Sequence, residues 1–319
     1  MLYSYISQGA GLLPLPEGRG LAEALWIDLY RPLDSQVKAV AALGYEIPTL
    51  EDMEEIEISN RLYTDNGTIY MTGVLPGQLP DGTPAAMPVT FIVSPRQLVT
   101  VRHHAPRPFE TFPPRAERSS SGCGSPARVF LGLVEEIIGR LADISEGVAK
   151  VLDATAGRVL TMTAASDAAS LQASLVTVGQ QAELMSRVRM GLLSMDRILA
   201  YHAANAAHQP EDGHIRPHGA ALQRDIQALE VHADFLGSRI AMTVDATMGM
   251  IGLQQNDRVR ILSVVTALFL PPTLIASIYG MNFTHMPELE LEWGFPMALG
   301  LMVVSAVVTF LVLKWRKWL

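Results

Sequence analysis

Residues 261–279 read ILSVVTALFLPPTLIASIY, nineteen positions without a charged side chain. At about 1.5 Å of helical rise per residue the run reaches about 28 Å, close to the hydrocarbon thickness of a bilayer. A second uncharged run of nineteen, FPMALGLMVVSAVVTFLVL, fills residues 295–313. Helices buried in a soluble core can also be apolar, but they rarely go so long without a charge, so both runs are read as membrane spans. The segment joining them, MNFTHMPELELEWG, carries Glu288, Glu290 and Glu292 but no Lys or Arg. Arg258 and Arg260 precede the first span, and Lys314, Arg316 and Lys317 follow the second. Basic flanks stay on the cytoplasmic side, which predicts cytoplasmic termini and an external loop. Trp293, Trp315 and Trp318 fall at the levels of the two interfaces.

The first span carries a polar stripe. Alternating steps of three and four from Asn256 pass through Val259, Ser263, Thr266, Leu270, Thr273, Ser277 and Gly280. This spacing of about 3.5 residues keeps one seam of a helix on a common axis. Five of the eight bear a hydroxyl or an amide. Such a seam suits a water-lined conduit, and it equally suits close packing of helices through small residues. Two helices cannot enclose a channel, so a pore needs several copies, each giving one such helix. The seam extends backward through Gly252, Gly249, Asp245, Met242 and Ser238, and no break is visible from about Ala220 to the proline pair Pro271–Pro272. Asp245 would form a carboxylate ring in an oligomer; alone it reads as a solvated charge. The prolines must disturb the hydrogen-bond ladder of the span.

Upstream, WIDLY, GTIYMTGVL and PVTFIVSPRQLVTVRH have the composition of strands, and DSQVKAVAAL that of a helix. A Ser/Gly/Pro linker covers residues 116–126, and long helices are expected over about 127–155 and 165–206. The layout expected is an α/β domain (1–125), long helices (126–219), a stalk helix (220–260), a first span (261–280), an external loop (281–294), a second span (295–313) and a basic tail (314–319). The N-terminus has no basic segment leading into an apolar run, so no signal peptide is expected and the large N-terminal part is placed in the cytoplasm. A formal net charge of -8, with no basic stripe, argues against a nucleic-acid partner. Cys123 is the single cysteine and is expected in a flexible loop. His202, His208, His214 and His218 match no zinc spacing and are read as a polar connection, and the His103–His104 pair as surface. There is no HExxH, nucleophile elbow or phosphate loop, so neither an enzyme nor an organic cofactor is expected.

The run FLPPTLIASIYGMNFTHMPEL, followed by WGFP and the closing KWRKWL, closely resembles the CorA family of magnesium transporters. Gly280-Met281-Asn282 after a tyrosine, then MPEL, then an aromatic-proline start to the second span carry the likeness. LQQN (253–256) resembles the end of that family's stalk helix, and WIDLYRP (26–32) and IPTLEDM (47–53) resemble segments of its cytoplasmic domain. The likeness is dense over residues 220–319 and patchy before them. It implies a homopentamer in the cell inner membrane, with a funnel-shaped α/β/α cytoplasmic domain, a long stalk helix and two spans per subunit. The first span would line the pore, with Gly280, Met281 and Asn282 as selectivity filter and the Asn282 amides ringing the outer mouth. Asn256 and Thr273 match further pore-facing sites. Asp52 matches an acidic residue of a regulatory Mg2+ site between subunits, with Asp225 a weaker candidate partner. Related zinc transporters carry another residue before the asparagine and a glycine-rich loop after it, so Met281 and MPEL favour Mg2+, with Co2+ and Ni2+ left open. A zinc or broad-specificity transporter and a non-conducting metal sensor are the rival readings.

Overall fold

The structure, a computed structural model, describes residues 1–9, 11–55, 57–161, 168–205, 215–281, 292–316 and 318. The chain divides into two compact units, Met1–Ala156 with Val176–Thr243, and Gly157–Leu175 with Val244–Leu319.

The first unit is built on a mixed seven-stranded sheet. Its strands are β1 (Leu2–Gln8), β2 (Gly11–Pro14), β3 (Trp26–Tyr30), β4 (Leu62–Asp65), β5 (Thr68–Gln78), β6 (Pro84–Val93) and β7 (Leu98–Arg102), in the order β2-β1-β3-β7-β6-β5-β4. Only β3 and β7 pair in parallel; the other pairs are antiparallel. The central strands read as near-continuous apolar runs because both faces of the sheet are covered. On one face Ile27, Leu29, Ile92, Val99 and Val101 pack with Val40 of α1 (Asp34–Ala41) and Met53 of α2 (Leu50–Glu54). On the other, Trp26 lies 5.9 Å from Phe112 of α4 (Pro108–Arg115), and Phe91 meets Phe130 of α5 (Pro126–Thr161) edge-on at 5.7 Å. A short α3 (Ile58–Arg61) leads into β4.

Two glycines have mechanical reasons. Asn66 and Gly67 both take positive φ, 47° and 77°, which a two-residue turn between β4 and β5 requires. At Gly73 of β5 an added Cβ would stand 2.7 Å from Ile198 Cδ1 and 3.0 Å from Ser194 Cβ of α6 (Ala168–Asn205), so a side chain there would have to push the helix's side chains aside. Ser194 of α6 uses that proximity to accept from the Val74 amide at 3.0 Å.

One ion pair is sealed inside the sheet. Asp28 of β3 accepts from Arg102 of β7 through Nη2 at 2.8 Å and Nε at 3.1 Å, and from Thr100 Oγ1 at 2.8 Å. Both side chains are under 5% exposed. The forked geometry, with Thr100 also receiving the Trp26 indole N–H at 3.0 Å, leaves neither charge without a partner.

The second unit holds most of the apolar helix. Helix α7 (Ile215–Tyr279) runs 65 residues without interruption, through Pro271 and Pro272, and α8 (Gly294–Trp315) adds 22 more. These two alone among the described helices are long and apolar enough to cross a membrane.

Candidate functional site

Helix α7 places the whole polar seam on an exposed face. Ser238, Met242, Asp245, Gly249, Gly252, Asn256, Val259, Ser263, Thr266, Leu270, Thr273, Ser277 and Gly280 are all exposed in the lone chain. Over the apolar part of the helix the half-covered residues are Val264, Ala267, Leu268, Pro271, Pro272, Ile275 and Tyr279. At about 100° per residue they centre on the side opposite the seam. Helix α8 likewise has one shielded stripe, where Ala298 is buried and Met302, Ser305, Ala306, Thr309 and Leu313 are half-covered.

Three of the span's seam hydroxyls have their hydrogens committed. Ser263, Thr266 and Thr273 donate to the carbonyls of Val259, Leu262 and Phe269 at 2.8, 2.8 and 2.6 Å. A hydroxyl whose hydrogen is spent on its own helix offers only lone pairs outward, so these three act as acceptors. Acceptors are what the water shell of a cation, all hydrogens outward, can bond.

The helix closes at Gly280, whose N–H reaches the Ala276 carbonyl at 2.9 Å, and Met281, whose N–H reaches that of Ile278 at 3.3 Å. Asn282, His285, Glu288 and Glu290 lie outside the described residues. Glu292 is exposed, one residue before the equally exposed Trp293.

The candidate regulatory acids lie in the first unit. Asp52 is in the first turn of α2, where the Thr49 amide and hydroxyl donate to Oδ2 at 2.8 and 2.7 Å. Those bonds, the hydroxyl's first, hold its carboxyl below the usual range. Asp52 borders a cavity of about 450 Å³ shared with Glu46, Glu55 and Tyr63; Asp225, exposed on α7, does not line it. Among the described residues no three His, Cys, Asp or Glu side chains gather closely enough to hold a metal ion within one chain.

Two expectations about the first unit are corrected, and the loop expected around Cys123 is found to bury that residue. His104 is fully buried rather than on the surface, with Nε2 2.8 Å from the Leu75 carbonyl, and burial pushes its pKa down to about 4. His202 is no part of a polar connection: it is buried in the last turn of α6, 4.8 Å from the Phe130 ring, and also held at about 4. Cys123 is 2% exposed, and burial pushes its thiol up to about 11. For the two histidines the polar sequence context hid partners from distant segments, Phe130 beside His202 and Leu75 beside His104.

A soluble-type α/β domain on long helices, followed by two apolar helices of membrane-spanning length, defines a membrane protein whose bulk lies to one side of its spans in sequence. The family model for the CorA-like Mg2+ transporter protein matches residues 22–315, and the chain belongs to that family. It is 31% identical over 311 residues to the magnesium transport protein CorA of Yersinia pseudotuberculosis, covering 96% of each chain. To the CorA of Escherichia coli K12 it is 30% identical over 308 residues, again covering 96% of each. Among solved structures, the CorA magnesium transporter from Methanocaldococcus jannaschii superposes with a TM-score of 0.76 at 18% identity, over 100% of this chain and 99% of that one. The fold is therefore a CorA fold, and the family is one of magnesium transporters and not of enzymes. Nothing in these likenesses favours the zinc or sensor readings.

Proposed function

We propose that the chain forms a homopentameric channel of the cell inner membrane that admits Mg2+ down its electrochemical gradient and closes when internal Mg2+ is high. The observation that carries this reading is the seam: one continuous exposed face of α7, polar at regular steps, opposite the face that is half-covered. A lone chain gives that face nothing to enclose, whereas five copies would turn it inward around water. Mg2+ gives up its waters reluctantly, and no charged residue lies between Ile261 and Tyr279 to strip them. The ion then passes hydrated, its waters donating to Ser263, Thr266, Thr273 and Ser277 and, at the mouth, to the Asn282 amide oxygens beside Gly280 and Met281. Asn256 and Asp245 continue the lining inward, with Leu270 as an apolar step. Glu288, Glu290 and Glu292 of each chain raise the cation concentration outside.

With both termini cytoplasmic, an inside-negative potential supplies about 2.3 kcal/mol per charge per 100 mV, or about 4.6 for a divalent ion. Asp52, bridged by Mg2+ to a neighbouring subunit with Asp225 as candidate partner, would favour the closed state, because a ligand shifts an equilibrium only through preference for one state. The test is Mg2+ flux into proteoliposomes, with the mass of the assembly measured in the same preparation. Flux from a pentamer, falling as Mg2+ on the cytoplasmic face rises, is expected; Asp52→Ala should blunt that fall. A monomer, or no flux, sinks the channel reading, and undiminished inhibition in Asp52→Ala sinks the regulatory one.

A further inference from the structure

A second kind of site stands inside the first unit. A cavity of about 520 Å³ opens where the β5–β6 hairpin, the start of α4 and the middles of α5 and α6 converge. Arg107, Arg140 and Arg187 line it, against a single carboxylate, Glu110. Arg187 is paired with Glu183 at 2.9 Å, whereas the side chains of Arg107 and Arg140 form no ion pair or hydrogen bond among the described residues. The chain has 32 acidic residues to 24 basic ones, so carboxylates are plentiful, yet this cavity collects cations. Like charges facing one space repel unless an anion joins them. The guanidinium fork matches phosphate oxygens two at a time. Apart from Gln78 the remaining wall is apolar or backbone, with Pro76, Ile144 and Leu184, which a bare inorganic anion would leave unused. The volume falls in the range of small-molecule pockets.

We propose that this cavity binds a small organic phosphate of the nucleotide class, its phosphates on Arg107 and Arg140 and its base against the Ile144–Leu184 wall. Glu110 at the edge can accept a ribose O–H or a base N–H. Such a ligand would bridge α5, α6 and the loop before α4.

The test uses the full chain in nanodiscs, with EDTA present, and ADP, inorganic phosphate and adenosine titrated separately by calorimetry. ADP should bind saturably, adenosine should give no measurable heat, and phosphate should bind at least about tenfold more weakly than ADP. Arg107→Ala with Arg140→Ala should weaken ADP by about tenfold or more, and the Lys pair, which keeps charge but loses the fork, by less. Arg107→Gln with Arg140→Gln gives the same readout should the alanine pair not fold. Absent ADP binding, unchanged affinity in the neutral variants, or phosphate equal to ADP would each overturn the proposal. The readout is binding alone, so its failure leaves the transport reading untouched.

Discussion

The sheet of the first unit and the spans of the second solve the same problem in opposite ways. In the sheet, a charged pair as demanding as Asp28–Arg102 is satisfied entirely by residues of the same chain, Thr100 and Trp26 included. In the spans almost nothing is buried, and the hydroxyls of Ser263, Thr266 and Thr273 turn only to their own backbone. The first unit carries its own solvent-excluding interior; the two apolar helices of the second leave nearly all of their surface uncovered within one chain. Perturbations of the sheet should therefore register as stability, and perturbations of the seam as transport.

The sharpest division comes from Asn282→Ala. Mg2+ flux into proteoliposomes should vanish while the protein elutes at its wild-type mass; normal flux would remove Asn282 from the proposed pathway. In the sheet, Asp28→Ala strands the Arg102 guanidinium in the interior and should cost about 3–5 kcal/mol. Hydrogen exchange of the β3 and β7 amides reads that cost, and unchanged protection would mean that the pair is dispensable.

Acid provides a graded version of the same contrast. Burial holds His104 and His202 at about 4, against about 6.5 in an unfolded chain. Below pH 6.5 the unfolded chain takes up protons that the folded unit refuses until about pH 4, so stability falls across that window. Each histidine contributes about 1.4 kcal/mol per pH unit. His202→Leu should lower the slope by about 1.4 kcal/mol per pH unit within that window, measured by the same amide exchange; an unaltered slope would acquit that residue. The smallest effect expected is that of Thr273→Val, which keeps shape but deletes one acceptor of about 1 kcal/mol. Flux should drop about fivefold with amide protection in the sheet unchanged. An equal drop in a variant on the covered face, such as Ala267→Ser, would erase the distinction between the two faces.

The two regions were also unequally legible. The spans announce themselves because nineteen uncharged residues have few other homes, and WIDLY, GTIYMTGVL and PVTFIV declare strands because both faces of the sheet are covered. Strands β2 and β4, four residues each, are too short to show a period of two, and β1 mixes Ser and Gln among half-covered positions. The Asp28–Arg102 pair joins residues 74 apart, and Arg107, Arg140 and Arg187 share a cavity only after five elements meet. No local pattern encodes either. The seam, by contrast, was readable as spacing, while the direction of its hydroxyl hydrogens came only with coordinates.

Pro271 and Pro272 add a consequence for how the long helix can move. Neither ring nitrogen carries a hydrogen, so the carbonyls of Ala267 and Leu268 have no rung above them, and α7 nonetheless remains helical across the gap. Elsewhere in its interior, opening an angle would cost hydrogen bonds; here two are already forgone. A bend of the span therefore costs least within that one turn, before Thr273 and Ser277, and would leave the ladder of the last two turns of α7 intact.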